Sequence, residues 1–165
     1  MKIIVVSDTH MPKRAKSLPK KLTEALKTAD LIIHAGDWQT IDVYNELSSF
    51  APVEGVYGNV DGEDVKSRFE QKKVLDINGY RIGIVHGHGQ KGSTEKRALS
   101  AFSEEMVDVI VYGHSHIPIK KMVGDLLLFN PGSATDKRRQ KKFSFGMITI
   151  NGELHAEHIY YEDKQ

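Results

Sequence analysis

The chain opens with a short continuous run of branched apolar residues, Ile3 to Val6, which predicts a strand buried on both faces. Leu22, Ala25, Leu26 and Ala29 then recur at helical spacing, with Ser17 as the expected cap and Pro19 in the first turn. Leu31 to Ile33 predicts a second buried strand, Thr40 to Ser49 a short amphipathic helix through Ile41, Tyr44 and Leu47, and Val53 to Tyr57 a third strand. Strands alternating with helices argue for parallel βαβ units.

The pattern changes in the second half. Val74 to Ile77 and Arg81 to Val85 flank Asn78-Gly79, a strong hairpin signal. Ser93 to Glu105 reads as a helix and Val107 to Tyr112 as a buried strand, while Gly124-Asp125 and Asn151-Gly152 mark two further turns. No linker, repeat or low-complexity tract interrupts the chain. The pattern predicts one domain over residues 1–165, α/β (α+β) in class; two facing sheets with helices outside fit it best, but the pattern alone does not fix how the sheets pack.

Composition narrows the chemistry. At 165 residues, with 39% hydrophobic and 27% charged content, the chain is long enough for a sizeable core. A net charge of +1 names no partner. Cysteine is absent, so disulfides and thiolate metal sites are excluded and any metal must be held by nitrogen and oxygen. The N-terminal apolar run is too short for a signal peptide or membrane span, so a cytoplasmic location without membrane association is expected.

The informative residues follow the strands. Asp8 and His10 come after the first, Gly36 and Asp37 after the second, Gly58 and Asn59 after the third. His86, Gly87 and His88 follow Ile82 to Val85, and Gly113, His114 and His116 follow Val107 to Tyr112. In open α/β sheets the carboxyl ends of parallel strands share one crevice. Asp8, His10, Asp37, Asn59, His86, His114 and His116 thus form a set of nitrogen and oxygen ligands too large for one tetrahedral ion and suited to two.

The ordered motifs SDTH (7–10), AGDW (35–38), YGNVD (57–61), VHGH (85–88) and GHSH (113–116) resemble those of the calcineurin-like metallophosphoesterases. The resemblance runs from residue 3 to NPGS at 130–133, and the short length is similar to the small bacterial and archaeal phosphodiesterase branch and to the retromer scaffold subunit. It implies two mixed β-sheets packed face to face with helices on the outside, a four-layer αββα sandwich. It implies one ion on Asp8, His10, Asp37 and His116 and a second on Asp37, Asn59, His86 and His114, with Asp37 bridging. Two such ions can clamp an in-line displacement at phosphorus and ionise the attacking water. The expected activity is hydrolysis of a small phosphoester, a phosphodiester above all. The expected cofactor is two divalent ions, manganese by resemblance, with iron, zinc, nickel or cobalt also compatible with these ligands.

One position departs from the broader family. Val60 stands where many members carry a histidine that binds phosphate or protonates the leaving group, which leaves His88 or water to do so. Asn59 and His88 are candidate catalytic and substrate-binding residues beside Asp37, and Ser133 is a candidate phosphate contact unless NPGS is a plain turn. His34 reads as a hydrogen-bonded core residue and Asp61 as one that orients a neighbour or caps a turn. Trp38 either lines the pocket or covers the sheet. The basic stretches MPKRAK (11–16) and DKRRQKK (136–142) either steer anionic substrates or keep the surface solvated, and without interleaved aromatics they do not predict a nucleic-acid platform. A non-catalytic interaction scaffold and a nuclease acting on small nucleotides or RNA are the competing functions; homo-oligomer formation stays open.

Overall fold

A computed structural model describes residues 1–164. Strands β1 (Lys2–Val6), β2 (Leu31–His34) and β3 (Val53–Gly55) alternate with helices α1 (Lys20–Leu26) and α2 (Asp42–Ser48). Helix α3 (Glu63–Lys66) leads to the hairpin β4 (Lys72–Ile77) and β5 (Tyr80–Val85), then α4 (Thr94–Ala101) and β6 (Val109–Val111). Two more hairpins complete the chain: β7 (Ile119–Val123) with β8 (Leu126–Asn130), and β9 (Phe143–Asn151) with β10 (Glu153–Tyr161).

The strands form two mixed five-stranded sheets, ordered β10-β9-β1-β2-β3 and β4-β5-β6-β8-β7. In the first sheet β1, β2 and β3 are parallel; in the second β5, β6 and β8 are. The alternation of side chains in a strand explains the layers. Ile3 and Val5 of β1 point inward with Ile33, against Ile82, Ile84, Val109 and Val111 of the second sheet. Ile4 and Val6 point outward onto Leu22, Leu26, Val43 and Leu47 of α1 and α2. On the far side, Ile110 and Leu128 pack against Ala98 of α4 and against Phe102 just after it. Both faces of both sheets are covered, which is the expected sandwich.

The hairpin at Asn78-Gly79 forms as the sequence predicts, with φ of 47° and 88° at its two turn residues. Other boundaries differ. Ser17 does not cap α1: Pro19 occupies the N-cap with no side-chain hydrogen bond, and its carbonyl accepts from the Thr23 N–H at 3.0 Å. Ser93 does cap α4, accepting from the Lys96 N–H, but that helix ends at Ala101 rather than Glu105. Helix α3 was not expected, because four residues are too few to show a helical period.

Candidate metal centre

The first links of the site are backbone. The Asp8 N–H donates to Gly36 O at 3.0 Å, the His10 N–H to Asp37 O at 3.1 Å and the Met11 N–H to Trp38 O at 3.1 Å. The segments leaving β1 and β2 therefore run side by side, with Asp8, His10 and Asp37 on adjoining turns. Asn59 arrives from the end of β3. His86 comes from the end of β5, and His114 and His116 follow β6, so ligands from both sheets meet at one edge of the sandwich.

Each carboxylate is divided between the protein and the centre. Asp8 Oδ2 accepts from the Ser7 hydroxyl at 2.8 Å and from the His114 N–H at 2.9 Å, while Oδ1 has no hydrogen bond. Asp37 Oδ1 accepts from the Val60 N–H at 3.0 Å, while Oδ2 lies 3.1 Å from His86 Nε2 and 3.4 Å from His10 Nε2. Asp8 Oδ1 is 3.5 Å from His116 Nε2, 3.7 Å from His86 Nε2 and 3.8 Å from His10 Nε2. Asn59 Oδ1 is 3.2 Å from His114 Nδ1.

The imidazoles are oriented from behind. Nδ1–H of His86 donates to Ala35 O at 2.8 Å, and Nδ1–H of His116 to Asp136 O at 2.5 Å. A carbonyl only accepts, so Nδ1 of each ring carries a proton and Nε2 is turned toward the carboxylates. Asp61, at the end of the YGNVD motif, accepts the N–H of Asp37 at 2.9 Å, of Gly58 at 2.8 Å and of Gln39 at 2.8 Å. It is the orienting residue expected from the sequence. Gly58 and Gly113 are required by close approach: a Cβ on Gly58 would strike Asp37 Oδ1, and one on Gly113 would strike Ser7 Oγ and lie 2.7 Å from Asp8 Oδ2.

The result is a buried set of orphaned polar atoms. Asp8 Oδ1 and Nε2 of His10, His86 and His116 are shielded from solvent yet make no hydrogen bond. Leaving such groups unsatisfied costs on the order of 1–3 kcal/mol each, so they call for a partner that the protein alone does not supply. A divalent cation with nitrogen and oxygen ligands fits. The triads Asp8, His10, His116 and Asp37, His86, His114 each bring their ligand atoms within 4.8 Å of one another.

Electrostatics agree. Burial disfavours an Asp8 charge, but His86, His10, His116 and the Ser7 hydroxyl outweigh it, and the carboxyl is held below the usual range. Burial likewise opposes the Asp37 charge; the His86 ring overcomes it and keeps that carboxyl low. Burial lowers His114 and His116, with the His86 charge adding to the first. Against the pull of burial, Asp8 and Asp37 raise His86 to about 9.

The remaining candidates separate. His88 flanks the centre, its ring 5.6 Å from that of His86 and 6.5 Å from that of His114, and its Nδ1 is buried without a partner. Ser133 does not reach the crevice. Its hydroxyl donates to Asp8 O at 2.8 Å and accepts the Asp136 N–H at 2.9 Å, so it braces the Asp8 turn and has no proton left for a phosphate oxygen. His34 is fully buried: its Nδ1 accepts the Gly36 N–H at 3.1 Å, and its Nε2 contacts Thr9 Oγ1 at 3.1 Å. Trp38 covers the sheet, stacked on His34 at 3.8 Å, and does not line the crevice. Sequence reasoning missed Asn130, whose amide donates to Gly113 O and Ser115 Oγ, both at 3.1 Å, and so holds the GHSH turn. Its place at the end of a buried strand, just before Pro131-Gly132, was the available signal.

Known proteins resemble this chain in sequence and in fold. A sequence model of the calcineurin-like phosphoesterase superfamily domain matches residues 1–153. A probable metallophosphoesterase of Methanothermobacter thermautotrophicus is 37% identical over 161 residues, covering 96% of this chain and 92% of its own. A phosphodiesterase of Methanocaldococcus jannaschii is 32% identical over 146 residues, covering 80% of this chain and 83% of its own. The crystal structure of Vps29 from Chaetomium thermophilum superposes with a TM-score of 0.82, 98% of each chain covered and 23% identity, a likeness of fold.

Proposed function

The chain belongs to the calcineurin-like phosphoesterase superfamily, and on that premise we propose that it is a dinuclear metal-dependent phosphodiesterase. The carrying observation is the convergence of four orphaned buried atoms, Asp8 Oδ1 and Nε2 of His10, His86 and His116, from two sheets. We assign one ion to Asp8, His10, Asp37 and His116 and the other to Asp37, Asn59, His86 and His114. Asp37 would be shared between them; its Oδ1 accepts from the Val60 N–H, and its other carboxylate oxygen has no backbone donor. Bound there, divalent ions, manganese first among the candidates, ease the loss of a proton from water and offset charge on the phosphoryl oxygens.

The protein's own residues supply placement. The amide donors on Asp61 hold the Asp37 turn, the Ser133 hydroxyl and His114 N–H hold Asp8, and the carbonyls of Ala35 and Asp136 hold two imidazoles. Hydrolysis forms a bond from water oxygen to phosphorus and breaks the ester P–O bond, and the leaving oxygen must take a proton. Val60 offers none, and its side chain stands 44% exposed at the rim. His88, beside His86 and His114 with an unpaired Nδ1, is assigned to contact the bound phosphoester, and water supplies the proton to the leaving oxygen.

The test is hydrolysis of bis(p-nitrophenyl) phosphate by protein loaded with Mn²⁺. Turnover is expected, with loss on chelation and a fall of at least about 100-fold in Asp37→Asn, which removes the shared charge. Because no residue replaces the family histidine at Val60, phenolic esters should exceed alkyl esters by at least about 100-fold, the scale of one general acid. Equal rates would assign leaving-group protonation to a group in place. Bound metal without turnover of any phosphoester would leave the scaffold reading.

A further inference from the structure

Beside the metal ligands lies a cationic groove that the hydrolysis of a small ester does not require. Ser115, between His114 and His116, lines a hollow of about 420 Å³ with Ile117, Lys137, Arg138 and Arg139. A second hollow of about 660 Å³, bounded by Pro118, Lys141, Lys142 and Tyr160, shares Arg139 and Gln140 with it. Together they line a path along the loop 137–142, with Ser115 among the residues at one end and Tyr160 among those at the other.

The loop that forms the path is anchored to the centre. Asp136 O takes the Nδ1–H of His116 at 2.5 Å, and the Asp136 N–H donates to Ser133 Oγ at 2.9 Å. Arg14 Nε lies 3.3 Å from Asp136 Oδ2, so the one acid of the stretch 136–142 already has a cation. Lys137 sits over the Phe143 ring at 5.7 Å. Among the described residues, the ion pairs leave Arg138, Arg139, Lys141 and Lys142 without a carboxylate. Four uncompensated cations along a groove are suited to successive phosphates.

An aromatic completes the groove. Tyr160 of β10 is 49% exposed and joins the wall from a strand well removed in sequence, so the basic stretch carries no aromatic of its own. Ile117, 42% exposed, adds an apolar contact near the centre. Plain polyphosphate would use the cations alone; a base needs a ring to stack on and a sugar needs apolar wall.

Resting on the phosphodiesterase reading, we propose that this groove holds the nucleotides adjoining the scissile phosphodiester of a single-stranded oligonucleotide. Phosphates run along Arg138, Arg139, Lys141 and Lys142, and a base stacks on Tyr160. The sequence led to the opposite expectation for nucleic acid, because the aromatic and the cations come together only in three dimensions.

The experiment uses Mn²⁺-loaded protein and thymidylate oligomers of two, four and eight nucleotides, with bis(p-nitrophenyl) phosphate as the small reference. kcat/KM should rise at least about tenfold from dimer to tetramer and fall with salt at a log–log slope of about −2, the response of about three phosphate contacts on a single strand. The ratio of tetramer to reference kcat/KM should drop at least about tenfold in Arg139→Ala/Lys141→Ala and in Tyr160→Ala, and recover in Tyr160→Phe, which keeps the stacking face. Turnover of the reference with no length preference, or ratios unmoved by these substitutions, would overturn the groove and spare the phosphodiesterase. Inhibition by tripolyphosphate as strong as that by the tetramer would overturn the nucleotide assignment. If nothing is hydrolysed, the activity reading fails by itself, and anisotropy of a fluorescent tetramer judges the groove: binding weakened by the same substitutions supports it, and no binding ends it.

Discussion

At the residue scale, backbone strain falls on the candidate ligands. Asp8, His10, Asp37, His114 and His116 have φ of 56°, 44°, 61°, 72° and 63°, in the left-handed region that side chains normally avoid. Each such residue costs on the order of 1–2 kcal/mol, and the surrounding hydrogen bonds must hold it there. Asp61 carries much of that duty, since its two oxygens take the N–H groups of Asp37, Gln39 and Gly58. In Asp61→Asn, whichever way the amide is turned, an NH₂ faces a backbone N–H. The expected losses are about 2–3 kcal/mol of stability and about 10–100-fold in metal affinity, read by thermal melting and by metal titration. A lower melting point with unchanged metal affinity would reduce Asp61 to a structural brace. The ligand types were legible in the sequence because Asp, His and Asn recur after each strand. Ser133 was not, because a hydroxyl in NPGS reads alike whether it faces a crevice or the Asp8 carbonyl.

At the scale of elements, β2 and the turn after it form a stacked unit. Trp38 stacks on His34 at 3.8 Å and on Phe69 at 4.5 Å, and its Nε1–H donates to Val56 O at 2.8 Å, tying the turn to β3. With the Gly36 N–H on Nδ1, His34 is neutral, its Nε2–H facing Thr9 Oγ1; burial pushes it down to about 3 from an ordinary 6.5. Between those values the unfolded chain holds a proton that the fold refuses, so this contribution is complete above pH 6.5 and is lost as pH falls toward 3. Stability of the protein should therefore decline more steeply with acid than that of His34→Gln, by about 1.4 kcal/mol per pH unit between about pH 4 and 6. Denaturant midpoints across that range measure it, and parallel profiles would show that His34 protonates equally in both states. His34 was legible as a core residue from its apolar neighbours. The limits of α1, α3 and α4 were not, because propensity and short periodicity are decided at helix ends by packing.

At the scale of the molecule, the sequence showed that strands end in residues of metal-binding type but not which strands share a sheet. Alternation reveals that Ile3 and Ile4 face opposite ways; it cannot say that Ile3 meets the second sheet while Ile4 meets α1 and α2. The pairing matters because Asp8, His10, Asp37 and Asn59 come from one sheet and His86, His114 and His116 from the other. Metal ions at this edge would close the sandwich across its two layers, and in their absence the two sheets meet there through orphaned atoms. Binding to the fold alone stabilises it by about 2.7 kcal/mol when free metal is 100 times its dissociation constant, which for a chain of this size raises the melting temperature by about 5–10 °C. Manganese added to chelator-treated protein should produce that rise. The same metal should give less than half of it in Asp37→Asn, which loses the carboxylate we propose both ions share, and hydrogen exchange should slow in β1 and β6 together. Protection confined to one sheet would mean that the ions belong to one layer, and the shared centre would have to be redrawn.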